Sequence, residues 1–372
     1  DTEDESTDDN EDVVSVDSGE EEEESVREGS QKETAGRSSS SLLSPGGVDL
    51  TLFDQSLKTR ICKIGAKVGK GASASVYRGI DVVTLRVVAL KEILITEPLK
   101  RDMLQMELKA LEGQRRSLDV DGDGDGAGGS NRVLGYFGAF LDAGNNNAYM
   151  VMEYMDNGTV EGVVQLLWKE KEGGGLSKEL YDKWVVKLGG DLFGGLSDFH
   201  ATNRVHRDIK PANVLVGGDL VCKLSDFGLA KSVEASIDAK ATSFVGTFNF
   251  MSPERLYGKE YKKTSDVWSA GMTLFYAKEG KYPLQNTQGF WEIVSELEDL
   301  GNRIREDPKL GEAEKDFFTK CFLGEEDRPS AAELRDHALL KVEGGGMSEE
   351  DRNAIRGVIA RDRNAIRGVI AR

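Results

Sequence analysis

The spacing of apolar positions changes twice along this chain. Through residue 47 no periodicity is present: Asp, Glu, Ser and Gly surround a few scattered valines, and the stretch ends in Ser38–Ser41 and Ser44-Pro45-Gly46-Gly47. Such a segment cannot bury enough apolar area to offset the entropy of ordering it. It reads as a disordered acidic tail, taken as far as residue 58. From about Ile61, short β-branched runs broken by glycine predict antiparallel strands at Cys62–Val68, Ser75–Arg78 and Val82–Ile93. In Lys100–Leu111 the spacing becomes three and four, which puts Met103, Leu104, Leu108 and Leu111 on one helix face. A strand pair follows at Val133–Leu141 and Ala148–Glu153, and after Gly158 helical periodicity takes over, notably in Lys178–His200, Thr264–Lys278 and Gln288–Leu300. The expected architecture is α+β: a small β-rich lobe with one main helix over about 59–152, a hinge over about 153–158, and a larger, mainly helical lobe over about 159–341. Residues 342–372 form a tail.

Charge sharpens this division. Of a net charge of -18, the first 58 residues hold 18 acidic and 4 basic side chains, so the remainder is nearly neutral. An acidic chain without clustered Lys and Arg argues against nucleic acid as the main partner, because phosphate contacts must replace condensed counterions. Three cysteines, Cys62, Cys222 and Cys321, have no paired spacing that suggests disulfides or a zinc site. No apolar run approaches the length of a membrane span, and no charged-then-apolar leader opens the chain. A cytoplasmic or nuclear protein is expected, and a start at Asp1 rather than Met suggests a fragment.

Two segments invite sharper readings. Asp119, Asp121, Asp123 and Gly124 copy the opening of a calcium-binding EF-hand loop, but position twelve is Ser130 where a bidentate Glu is needed. A flexible Gly/Asp insertion is the better account. In the tail, DRNAIRGVIAR at 351–361 recurs unchanged at 362–372. Eleven residues are close to three helical turns, so Ile355, Ile359, Ile366 and Ile370 would share the apolar face of a basic helix able to dock on a partner. A frayed end weakened by Gly357 and Gly368, or a duplicated stretch of sequence, is the preferred reading.

Candidate chemistry begins with Gly69-Lys70-Gly71-Ala72-Ser73-Ala74-Ser75-Val76 between two strands, where glycines let main-chain N–H groups approach a phosphate chain. Some 20 residues on, Val87-Val88-Ala89-Leu90-Lys91 places a lysine on an apolar strand, costly unless paired. Its partner is expected to be Glu107 on the helix; the bland alternative is a surface ion pair worth little. The decisive segment is Val205-His206-Arg207-Asp208-Ile209-Lys210-Pro211-Ala212-Asn213-Val214-Leu215-Val216, followed across a short hairpin by Ser225-Asp226-Phe227-Gly228. A carboxylate to orient a hydroxyl, a cation for a phosphate, and an amide with a second carboxylate to hold metal are the minimum set for phosphoryl transfer.

These residues resemble the eukaryotic protein-kinase family over about residues 62–341. The resemblance implies ATP and Mg2+ as cofactors, with a nucleotide pocket of Val68, Gly69, Lys70, Gly71, Ala72, Ser73, Ala74, Val76, Ala89, Lys91, Met152, Glu153, Met155 and Leu215. It implies Glu107 as the holder of Lys91, Asp208 as catalytic base beside Lys210, and Asn213 and Asp226 as metal ligands. It further pairs Glu254 with Arg328, assigns Asp266 and Trp268 to a helix anchoring the catalytic loop, and makes Arg207 the reader of a phosphate on the activation loop. A narrower likeness, carried by Gly138-Ala139-Phe140, Met155-Asp156-Asn157-Gly158, Ser243-Phe244-Val245-Gly246-Thr247, Met251-Ser252-Pro253-Glu254-Arg255-Leu256, Ser265-Asp266-Val267-Trp268-Ser269 and Lys281-Tyr282-Pro283-Leu284, is to MAP-kinase kinases. That likeness implies a MAP kinase as substrate, phosphorylated on Thr and Tyr, and an upstream MAP-kinase-kinase kinase as activator.

Three departures accompany it. Ala74 replaces the third glycine of the loop, at a cost of about 1–2 kcal/mol if the position needs positive φ. The stretch from Asp226 to Ser243 is long, leaving Ser243, Thr242 and Ser236 as phosphorylation candidates. The basic cluster before Leu-x-Leu that docks a MAP kinase is not found in the N-terminal tail. Two alternatives stay open: a pseudokinase scaffold, disfavoured by the presence of Lys91, Asp208, Asn213 and Asp226, and a different serine/threonine kinase of the same cascade.

Overall fold

The computed structural model describes residues 48–70, 74–119, 131–226, 248–284, 289–341 and 346–370. Its first lobe is built on β1 (Ile61–Lys70), β2 (Ala74–Asp81), β3 (Val87–Leu94), β4 (Tyr136–Asp142) and β5 (Asn147–Glu153), antiparallel in the order β1-β2-β3-β5-β4. Alternation sorts the side chains of β3. Val88 and Leu90 join Leu57, Ile61, Phe137, Phe140 and Val151 in one apolar cluster. Ile93 instead packs in the cluster of Leu104, Leu108 and Leu111, the buried stripe of α2 (Pro98–Glu112). Lys91 has the parity of Ile93, so its ammonium is delivered to the α2 side.

Two expectations about this lobe change. Val82, Val83 and Thr84 look like strand residues, but they form a turn between β2 and β3. Asp81, wholly buried, receives Nε and Nη2 of Arg60 at 2.6 Å each and also accepts from the N–H of Val83 and the hydroxyl of Thr84, which folds the chain back. Residues 48–58, assigned to the disordered tail, are folded onto the lobe. Val48, Phe53 and Leu57 are buried, Leu57 in α1 (Ser56–Arg60), and the N–H of Asp49 donates to Gln105 on α2. Three of the five apolar residues in this stretch, Val48, Phe53 and Leu57, are the buried anchors that attach it.

The second lobe is helical: α3 (Val160–Glu172), α4 (Lys178–Ala201), α5 (Pro253–Leu256), α6 (Lys263–Glu279), α7 (Phe290–Glu298), α8 (Leu300–Glu306), α9 (Glu312–Cys321) and α10 (Ala331–Arg335). α4 buries Tyr181, Trp184, Leu188, Phe193, Leu196 and Phe199 and packs on α6, which is buried on nearly every side, and on α10 and the strand Cys222–Leu224. α6 stops at Gly280, left-handed at φ 67°, where a Cβ would run into the Trp168 ring. Between α4 and α5 lies the hairpin β6 (Val214–Val216) and β7 (Cys222–Leu224).

The tail is the third departure. Residues 349–370 form one helix, α11, rather than a frayed end. Ile355, Val358 and Ile359 of the first repeat are buried, Arg356 donates to the carbonyl of Gly218 in the β6–β7 turn at 3.0 Å, and Asp351 meets Lys183 of α4 at 3.5 Å. Docking against α3 compensates for Gly357. Among the described residues no helix is long and apolar enough to cross a membrane.

Candidate active site

The sheet, α2 and the β6–β7 hairpin bring separate segments to one place. Lys91 Nζ lies 3.1 Å from Glu107 Oε1 and 2.6 Å from Asp226 Oδ1. With only 16% and 12% of the Lys91 and Glu107 side chains exposed, this is not a surface ion pair. Burial works against the Lys91 ammonium, but the two carboxylates outweigh it and raise its pKa above the usual lysine value. Burial likewise opposes ionisation of Asp226, and Lys91 reverses the sign, holding that carboxyl below its ordinary range.

Asp208 faces the same space from the loop after α4. Lys210 Nζ is 3.0 Å from both its carboxylate oxygens, and Asn213 Nδ2 donates to its Oδ2 at 2.7 Å and its carbonyl at 2.8 Å. Both Asn213 amide bonds are thus spent on Asp208, which leaves the amide oxygen available as a ligand. The hairpin register Val214↔Leu224 returns Asp226 beside Asn213, and Ser225 seals the turn by donating its N–H and hydroxyl to the Asn213 carbonyl, both at 2.9 Å. Two non-glycine residues here are left-handed, Arg207 at φ 72° and Asp226 at φ 52°. Strained backbone of this kind persists only when its surroundings over-determine it.

Asp266 of α6 supplies much of that restraint. Completely buried, it accepts the N–H groups of His206 at 2.7 Å and Arg207 at 2.8 Å and contacts His200 Nε2 at 2.9 Å. His206 is fixed from both ring nitrogens: Nε2 faces the Ser225 carbonyl at 3.1 Å and Nδ1 accepts from the N–H of Asp208 at 3.4 Å. Burial pushes its pKa below the usual histidine value despite the nearby carboxylates, so the ring is neutral. Glu254 and Arg328, at 2.7 Å, tie α5 to the segment before α10, as expected.

The remaining sequence candidates fall around this cleft. Val76 is opposite Lys91, and Ala89 opposite Met152, in neighbouring strands; Leu215 bridges to Thr159 after the hinge. Met152 shares a small cavity with Glu107, Leu111, Leu134, Tyr136 and Asp226. Met155 has a buried side chain, and its N–H has no main-chain partner among the described residues. Gly69 pairs with Val76, and Val68 on the same strand is exposed. Lys70 ends β1. Ala74 opens β2 opposite Ile93 and is not left-handed, so its Cβ carries no penalty. Gly71, Ala72, Ser73, Ser236, Thr242 and Ser243 lie outside the described residues, as do 1–47 and most of the Asp119–Gly129 insertion.

Glu153, placed by the resemblance in the hinge of the nucleotide pocket, has its carboxylate engaged away from Lys91 and Asp226. Oε1 receives Lys223 Nζ at 2.6 Å and Oε2 receives the N–H of Gly135 at 3.0 Å, so the carboxylate ties the hinge to β7. Sequence reasoning missed Lys223, 4% exposed, although a lysine on an apolar strand is the cue that singled out Lys91.

A five-stranded antiparallel lobe, a helical lobe and a cleft carrying a lysine, two aspartates and an asparagine define the class of two-lobed phosphotransferases. The model of the protein kinase domain matches residues 62–340, and the chain belongs to the protein kinase family. It is 28% identical to mitogen-activated protein kinase kinase 3 of Arabidopsis thaliana (75% of this chain, 49% of the relative) and 31% identical to mitogen-activated protein kinase kinase 5 of Leishmania mexicana (74% and 49%). It is 29% identical to serine/threonine-protein kinase 4 homolog A of Dictyostelium discoideum (74% and 54%). The chain spans about half the length of these curated relatives.

Proposed function

We propose that the chain is an ATP-dependent protein kinase acting as a MAP-kinase kinase. It would phosphorylate Thr and Tyr in a MAP-kinase activation loop and be switched on by phosphorylation of its own segment between Asp226 and Phe248. The observation that carries the kinase reading is the convergence of Lys91, Glu107, Asp208, Asn213 and Asp226 in one cleft. Lys91 binds the nucleotide phosphates, and the free Met155 N–H meets the adenine edge. Asp208, oriented by Asn213 and Lys210, accepts the proton of the substrate hydroxyl as that oxygen bonds to the γ-phosphorus and the β–γ bridging bond breaks towards ADP. Asn213 Oδ1 and the Asp226 carboxylate would hold Mg2+, a hard cation that takes oxygen ligands and needs only one or two from the protein. Magnesium, when bound, neutralises charge on the phosphates.

The narrower assignment is supported by the sequence likeness over Met251–Leu256 and by MAP-kinase kinases among the relatives. The test is in vitro phosphorylation of a panel of catalytically dead MAP kinases, with sites mapped by mass spectrometry. Paired Thr and Tyr labelling is expected. Thr-only labelling would favour the second reading, another serine/threonine kinase of the cascade, which the Dictyostelium relative supports. No transfer to any protein would favour a scaffold.

A further inference from the structure

The turn between β6 and β7 is gripped from two sides. Asn157 of the hinge donates its Nδ2 to the Gly217 carbonyl at 2.7 Å, and Arg356 of α11 donates its Nε to the next carbonyl, that of Gly218, at 3.0 Å. The turn lies directly against the hinge, since a Cβ on Gly218 would come within 3.0 Å of Asp156 Oδ2. Within it, Leu220 is fully buried and left-handed at φ 68°. A non-glycine residue keeps that conformation only where its surroundings over-determine it.

Arg356 is equipped to supply part of that restraint. Ile355 before it and Val358 and Ile359 after it are buried, so α11 is docked where the arginine emerges. Asp351 and Arg361 add ion pairs to Lys183 of α4 and Glu170 of α3. The guanidinium is fixed within its own helix, Nη1 bonding Glu349 at 2.6 Å and Asn353 at 3.1 Å, which leaves Nε for the turn. A fork held in this way loses little side-chain entropy when it meets a carbonyl. With 33% of the side chain exposed, water screens the bond and its energy is modest. Its consequence comes from where it acts.

The β6–β7 hairpin is a short lever. Its three rungs run from Val216↔Cys222 beside the turn to Val214↔Leu224 at the cleft. At the cleft end Asn213 directly precedes β6, Asp226 follows β7 after Ser225, and Ser225 bonds back to the Asn213 carbonyl. A displacement of the turn is therefore passed to both side chains. Magnesium demands near-ideal octahedral geometry at about 2.0–2.1 Å, so a small change in the spacing of two protein ligands costs affinity. We infer that Arg356 is a positioning residue for the metal ligands: from outside the cleft it holds the β6–β7 turn against the hinge and thereby sets the spacing of Asn213 Oδ1 and the Asp226 carboxylate. This deepens the proposed function and rests on its claim that these two residues hold the magnesium of the nucleotide. The tail repeat, which the motifs of the cleft leave without a role, acquires one.

The test is calorimetric binding of the β,γ-imido analogue of ATP to the full chain, with and without Mg2+. The wild type should bind more tightly when the metal is present. In Arg356→Met that metal-dependent gain should shrink by about three- to tenfold, the effect of losing one screened, charge-assisted hydrogen bond, while affinity for the metal-free analogue stays the same. Arg356→Lys, which keeps the charge and a donor, should restore part of the gain. Without nucleotide, amide exchange in Arg356→Met should quicken at Gly217 and Leu220, whose N–H groups close the turn. An arginine that only stabilises α11 would lower Tm and quicken exchange in the helix with both affinities unchanged, and that result overturns the inference. An equal loss with and without metal overturns it as well, because the turn would then act on the pocket as a whole. Should Arg356→Met disturb the helix, Arg356→Ala, the best helix former, decides on the same readouts. A wild type with no metal-dependent gain sinks the magnesium reading and this inference together; a wild type that shows the gain beside variants that keep it sinks this inference alone.

Discussion

Lys91 sits between two carboxylates, so removing its charge does more than delete a phosphate ligand. Lys91→Met removes the ammonium between Glu107, mostly buried, and Asp226, about half exposed at 48%, and leaves the two carboxylates without a shared counter-charge. Transfer of labelled γ-phosphate is expected to fall by a factor on the order of 10² or more, with some loss of thermal stability. Asp208→Asn is the cleaner change, because an amide oxygen still accepts from Lys210 and Asn213 while the group no longer takes a proton. Its turnover should fall on the order of 10³-fold at an unchanged Tm; a purified Asp208→Asn protein that still transfers phosphate would contradict the base assignment. These residues are readable in the sequence for a physical reason. Lys91 interrupts an apolar strand, and Asp208, Asn213 and Asp226 cluster at a spacing a hairpin can close. The same cue reaches Lys223.

Strands and helices with clear periodicity lie near their expected positions, and the departures come where one polar side chain or a few apolar ones override the local pattern. Val82–Thr84 has strand residues but turns, because Asp81 bonds to Arg60, Val83 and Thr84 together. Phe53 and Leu57, in a short stretch without strand or helix periodicity that follows the acidic tail, nonetheless anchor their segment. The tail repeat illustrates how tertiary packing decides helix formation: two glycines weaken it locally, but Ile355, Val358 and Ile359 find apolar cover beside α3. Ile355 is fully buried, so Ile355→Ala should cost about 2–4 kcal/mol if α11 unfolds together with the large lobe. Urea denaturation with amide exchange checks this. A lowered midpoint together with faster exchange in both α11 and α3 is expected, whereas faster exchange confined to α11 at an unchanged midpoint would make the helix an independent appendage.

Taken together, the two lobes carry a particular acid sensitivity, because several groups that hold them are buried in one protonation state. Burial opposes ionisation of Glu254, but the hydrogen bonds and charge of Arg328 prevail and lower its pKa; the Arg60 hydrogen bonds lower that of Asp81. His206 is lowered by burial and kept neutral. In all three the folded state binds fewer protons than the unfolded state between the two pKa values. Their stabilisation is therefore complete above the unfolded values, about 6.5 for His and about 4 for the carboxylates, and is lost as pH falls through the lowered folded ones. Unfolding free energy should be level above about pH 7, dip as unfolded-state histidine begins to take protons, and fall more steeply below about pH 4.5. Glu254→Gln isolates one contribution: it leaves the Arg328 guanidinium, 1% exposed, without its counter-charge and should lower the neutral-pH plateau by about 3 kcal/mol. Because the group that titrates is gone, the acid limb should also become shallower. Urea titrations of both proteins between pH 3 and 8 test the two effects separately, and parallel acid limbs would show that Glu254 is not among the groups whose protonation opens the fold.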